Sequence, residues 1–187
     1  MTVEVVENRT TPEVPDEKAD AAADQESSNK NRSLDYLAAA ASQEITNVIG
    51  KTVKNNKKVK PPDVENLTTK TLGIHQEQGI YAMILFLLSR SGNKSASEKM
   101  NAEQRVACEI TAQLFHLLQE QELKPLGVAY NKDIHFNNVN SEAKGLLNHF
   151  VKEDGLLDQI DSLLLVRDLY EQTLIYTRYG AKAAAED

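Results

Sequence analysis

Apolar residues return every three or four positions along most of this chain, and that spacing restricts it to one class of fold. A period near 3.6 lines such residues up on one face of a helix, whereas a half-buried strand needs strict alternation. Leu34, Leu37, Ala38, Ala41, Ile45, Val48 and Ile49 make the first stripe, behind Ser33, a favourable N-cap. Ile80, Met83, Ile84, Leu87 and Leu88 make the second, within residues 75–91. Tyr81, Leu85 and Phe86 widen it, which places this helix at the centre of a bundle. A third, Ala102, Val106, Ile110, Leu114, Leu117 and Leu118, follows Ser95-Ala-Ser-Glu98, whose spacing is that of a capping box opening a long helix. Ser141 is expected to cap a fourth helix bearing Ala143, Leu146, Leu147 and Phe150, broken at Asp154-Gly155. A last one begins near Leu156 and carries Ile160, Leu163, Leu164, Leu169, Tyr170, Leu174 and Ile175. Only residues 126–130 hint at a strand. The chain reads as all-α, an irregular bundle of five to six helices.

The connections are read from breakers and charge. The first helix is expected to fray into the polar stretch 51–60 and to stop at Pro61-Pro62. Asp63 then caps a short helix over 64–72, with Gly73 as its stop. Residues 122–140, with Pro125, Gly127 and paired asparagines, read as a long loop of the kind that is often functional or mobile.

Composition bounds the core and the organisation. Of 187 residues 41% are apolar, enough for one helical domain, while aromatics at 5% and no tryptophan leave the core to Leu, Ile, Val and Ala. Residues 1–32 are expected to be a disordered acidic tail and 33–187 the bundle domain. The first 32 residues hold eight acids against four bases and almost no large apolar residues after Val14, too little to offset the entropy of ordering. That leaves about −3 of the net −7 on the remainder, so a basic face there has to come from local clustering. No apolar run approaches the roughly 20 residues that span a bilayer. The acidic start, Met1-Thr2-Val3-Glu4, lacks the regions of a signal peptide. With a single cysteine, Cys108, a soluble cytoplasmic protein without membrane partners is expected.

Catalytic and metal chemistry finds no foothold in the sequence. His75, His116, His135 and His149 are scattered, with no ligand spacing among them, and His116 and His149 sit beside apolar helix positions as structural histidines do. Cys108 has no basic cluster nearby to lower its pKa, so a buried inert thiol is expected. There is no nucleophile elbow, phosphate-cradling glycine loop or dinucleotide fingerprint. A protein that is not an enzyme and takes no cofactor is expected.

Clustered positive charge remains. Lys51, Lys54, Lys57, Lys58 and Lys60 fall in one polar stretch with no acid between Glu44 and Asp63; such a run can neutralise phosphates without reading sequence, or simply be a solvated helix end. Arg90 sits at the C-terminal end of the apolar central helix, where a cation also suits the helix dipole. Arg167 and Arg178 lie about three turns apart on one face of the last helix, placed to straddle a nucleic-acid backbone, although Arg167 can equally pair with Glu171.

Two stretches carry a resemblance. Gln78-Gly79-Ile-Tyr-Ala-Met-Ile-Leu-Phe-Leu-Leu-Ser-Arg90 and Leu165-Val-Arg-Asp-Leu-Tyr-Glu-Gln-Thr-Leu-Ile-Tyr-Thr-Arg-Tyr-Gly-Ala-Lys-Ala183 resemble segments of the small helical subunit of type III CRISPR effector complexes, which act in antiviral defence. The order of helices over 34–183 fits as well, whereas the acidic tail, the 122–140 stretch and the break after Lys60 depart from that pattern. The resemblance implies a non-catalytic subunit of a ribonucleoprotein. Its partners would be other subunits of the effector complex, guide and target RNA, and copies of itself stacked along the complex. On the matching segments it points to Arg90, Arg167 and Arg178 as RNA-binding residues; Lys54, Lys57 and Lys58 join them from charge clustering alone. The alternative is a helical protein-binding adaptor or regulator that uses the acidic tail.

Overall fold

A computed structural model describes residues 32–92, 100–128, 130 and 132–185, together with Met1. The expected acidic tail therefore lies, apart from Met1 and Arg32, outside the described residues. So does the Ser95–Glu98 capping box.

Among the described residues five α-helices form the bundle: α1 (Leu34–Thr46), α2 (Pro61–Ser91), α3 (Ala102–Leu117), α4 (Val139–Val151) and α5 (Ile160–Ala183). Short 3-10 turns at Gln121–Leu126 and Leu156–Asp158 join the later ones. The two-residue strands β1 (Thr52–Val53) and β2 (Lys57–Lys58) pair antiparallel between α1 and α2. The all-α expectation holds, with this hairpin as its one addition among the described residues.

The start of α1 follows its sequence: the Ser33 hydroxyl accepts the Tyr36 N–H at 3.1 Å, and Leu37, Ala38, Ala41 and Ile45 are buried. The helix ends earlier than its apolar stripe, at Thr46, and Val48 reaches the core from the turn that follows. The polar stretch 51–60 is not a frayed helix. Asn55 and Asn56 take left-handed backbone angles (φ 61° and 56°), which asparagine tolerates better than most residues, and they reverse the chain into the hairpin.

Pro61 and Pro62 open a helix rather than stop one. Proline at the first helical position has no N–H to leave unpaired, and the Asp63 carboxylate accepts the Lys60 N–H at 2.8 Å. Gly73 stays inside the helix. The interruption comes at Gly79 instead, where φ 85° and ψ −176° are open to glycine and strained for any other residue. α2 is thus two helical segments meeting at Gly79, so the expected break between a short helix and the apolar helix of residues 75–91 falls at Gly79 rather than at Gly73.

α2 packs against α3, α4 and α5, and α5 covers α1. Ile80, Met83, Ile84 and Leu87 are fully buried on the second half of α2, but Leu85 is 43% exposed, so its apolar girth is not closed all round. α3 buries its whole stripe from Val106 to Leu118, and its start is set by Asn101, whose side chain caps the Gln104 N–H at 2.8 Å. α4 begins at Val139, ahead of the expected Ser141 cap; α5 begins at Ile160.

The 122–140 stretch is packed by its own apolar residues. Leu123, Val128, Tyr130, Ile134 and Val139 are buried, and Phe115 meets the edges of Tyr130 and Phe150 at 5.5 Å each. No strand forms over its described residues: Leu126 closes a 3-10 turn and Gly127 is left-handed. Arg32 is tied to this region by ion pairs to Glu120 and Glu122, the latter at 3.1 Å. The bidentate guanidinium holds the Glu122 carboxyl down at about 2. Among the described residues no helix is long and apolar enough to cross a membrane.

Candidate nucleic-acid interface

The hairpin is a device for presenting lysines. Val53 and Val59 are 3% and 2% exposed and anchor it in the core, while Lys54, Lys57, Lys58 and Lys60 are exposed. Backbone bonds fix it at both ends: Gly50 N–H donates to Val59 O (2.9 Å), Val59 N–H to Lys51 O (3.0 Å), and Lys54 N–H to Met100 O (2.8 Å). The last of these holds the hairpin turn against the approach to α3.

A cleft of about 650 Å³ opens between the hairpin and the starts of α2 and α3, lined by Lys54, Lys57, Lys58, Lys60, Asp63 and Glu103 among others. Two helix N-termini face it, each carrying the positive end of its macrodipole. Its two acids are already engaged, Asp63 with the Lys60 N–H and Glu103 with Arg90 at 3.3 Å. Among the described residues none of the four lysines lies within ion-pairing distance of a carboxylate. A smaller groove continues from Asp63 and Glu103 along α2 past Asn66 and Lys70.

Of the six residues singled out from sequence, Lys54, Lys57 and Lys58 come together in this cleft. Arg90 stands at its rim through Glu103, with its guanidinium 5.2 Å from the Phe86 ring centre. Arg167 and Arg178 line neither the cleft nor its extension. The anticipated Arg167–Glu171 pair does not form; Glu171 instead accepts the Gln76 side-chain N–H at 2.6 Å. Arg167 is half-buried, its Nε has no hydrogen-bond partner among the described residues, and its carbonyl accepts from His75. Arg178 lies beside the exposed Tyr179 ring, 5.9 Å from its centre. Sequence reasoning left out Lys60 and Lys70 as site residues. The signal for Lys70 was available: it is two helical turns beyond Asp63, on the same face.

Comparison with protein-family models, curated proteins and solved structures finds no match.

The remaining reactive groups are held as structural ones. The Cys108 thiol is fully buried, and burial pushes its pKa up to about 11. His149 donates through Nε2 to the Val128 carbonyl at 2.8 Å. The fold brings His116 and His135 edge to face at 5.8 Å. Among the described residues no three His, Cys, Asp or Glu side chains converge as a metal site would require.

Proposed function

We propose that the chain is a non-catalytic, RNA-contacting subunit of a ribonucleoprotein, of the kind its two family-like segments suggest: the small subunit of a type III CRISPR effector complex. The observation that carries this reading is the lysine-lined cleft. Four ammonium groups, unpaired among the described residues, line it: Lys54, Lys57 and Lys58 on a hairpin held by two buried valines, and Lys60 at the start of α2. Such a surface neutralises phosphates without needing to read bases, which suits a complex in which base pairing supplies the sequence recognition. Arg90 at the rim would extend the contact once its exposed pair with Glu103 opens. Arg167 and Arg178, away from the cleft, would meet a different part of the assembly, either RNA or a neighbouring copy.

The test is retention on single-stranded RNA across a salt series. The wild-type chain should bind at low salt and lose affinity steeply as salt rises. In a Lys54→Ala/Lys57→Ala/Lys58→Ala variant the slope of log K against log salt should fall by about 2, at about 0.7 per phosphate contact on a single strand. Absence of binding at low salt, alone and with partner subunits, would remove the proposal.

A further inference from the structure

A second surface, at the corner where α4 turns into α5, has a different chemistry. Val151, Leu157, Ile160 and Leu164 are exposed there by 57%, 37%, 69% and 50%. All four lie in the short span from the end of α4 to the first turns of α5, and Ile160 and Leu164 are one turn apart on that helix. Single exposed apolar residues are ordinary; four in one corner of a small domain mark a surface that something covers. Between Val151 and Leu157 runs a groove of about 390 Å³ whose other walls include Phe150, Lys152, Glu153 and Asp158.

Carboxylates rim this apolar corner. Glu153, Asp154, Asp158 and Asp161 are exposed around it, and among the described residues none has a Lys or Arg within ion-pairing distance. Asp161 also suits the start of α5, and Asp158 accepts the Asp154 N–H at 3.3 Å. Lys152 is the single cation among them. The sign is opposite to that of the lysine cleft, so one polyanion cannot be the ligand of both.

The corner is also preformed. Gly155 packs so closely that a Cβ there would lie 2.6 Å from the Lys152 carbonyl and 2.9 Å from those of His149 and Phe150. Leu156 beside it is fully buried. A preformed groove with Val151 and Leu157 as its apolar walls and carboxylates around it loses little entropy on docking and selects apolar side chains flanked by cations.

We infer that this corner docks a basic amphipathic segment of a partner protein, with apolar side chains in the Val151–Leu157 groove and lysines or arginines against the four carboxylates. The test uses the full chain and two labelled synthetic helical peptides, one with a leucine stripe flanked by lysines and its counterpart with glutamate for every lysine, followed by fluorescence anisotropy. Saturable, salt-sensitive binding of the lysine peptide alone is expected. Leu157→Ser/Ile160→Ser should weaken it by about tenfold or more, because two apolar anchors are removed, with the helical circular dichroism of the folded chain retained. The Lys54→Ala/Lys57→Ala/Lys58→Ala variant should bind the peptide as the wild type does, which separates this surface from the RNA reading. Equal binding of the two peptides, or undiminished binding by the double variant, would overturn the inference. So would a concentration-dependent dimer that the double variant abolishes, since that would assign the corner to a second copy.

Discussion

His75 on the first segment of α2 donates through Nε2 to the backbone carbonyl of Arg167 on α5, 2.9 Å away, and the imidazole is fully buried. The contact spans the two longest helices of the bundle. It also fixes the tautomer, since a carbonyl can only accept.

Acid should therefore loosen the fold. Burial holds His75, His116 and His149 below the ordinary histidine value of 6.5, helped for His116 by the neighbouring His135. The unfolded chain then binds more protons than the folded one as pH drops past 6.5, so stability is full above that pH and declines below it. Urea midpoints measured between pH 7.5 and 5 should fall steadily. The His75→Gln variant, which keeps a side-chain N–H donor, should show a shallower decline.

Removing the Tyr170 hydroxyl should cost more than its size suggests. The ring is fully buried and its O–H donates to the Leu114 carbonyl at 2.7 Å, where α5 meets α3. Tyr170→Phe removes that bond from an apolar interior and should lower stability by about 1.5 kcal/mol, read from urea unfolding.

Gly79→Ala tests whether the two segments of α2 must meet as they do. The backbone there is at φ 85°, outside what an L side chain adopts easily, although a Cβ would meet no neighbouring atom. The expected loss, about 2 kcal/mol by chemical denaturation, comes from backbone strain alone.

Gly155→Ala is the opposite case, with ordinary backbone angles and no room. Three carbonyls of the α4 terminus stand within 2.9 Å of the added carbon, and backbone atoms cannot step aside as a side chain would. A cost of about 2 kcal/mol is expected, together with weaker binding of the lysine peptide because the corner is displaced.

Much of this architecture is legible in the order of residues, for a reason that shows in α3. Val106, Ile110, Leu114 and Leu117 repeat at helical spacing and are all buried, because a stripe of that regularity has one way to leave water. The same reasoning fails at Ile160 and Leu164, which continue the α5 periodicity yet stay exposed: periodicity says which residues share a face, not whether a neighbour covers it. The hairpin was hidden by its brevity. Two residues per strand show no alternation, and the only mark was Asn55-Asn56 between Val53 and Val59. The lysines of the candidate interface could be read as a cluster, but not that α3 would supply the facing wall. That wall depends on the bond from Lys54 N–H to Met100 O, between positions that no local pattern connects.

The pairing of α1 with α5 has a consequence for how the protein is made. Asp35, in the first turn of α1, accepts hydrogen bonds from Gln172, 137 residues later, and from Tyr176. On the ribosome the first helix thus emerges long before the helix that shields Leu37, Ala41 and Ile45 has been synthesised. Its apolar stripe must wait, uncovered or guarded by a chaperone, until α5 has been synthesised, and a message truncated before α5 would yield a chain that cannot close its core.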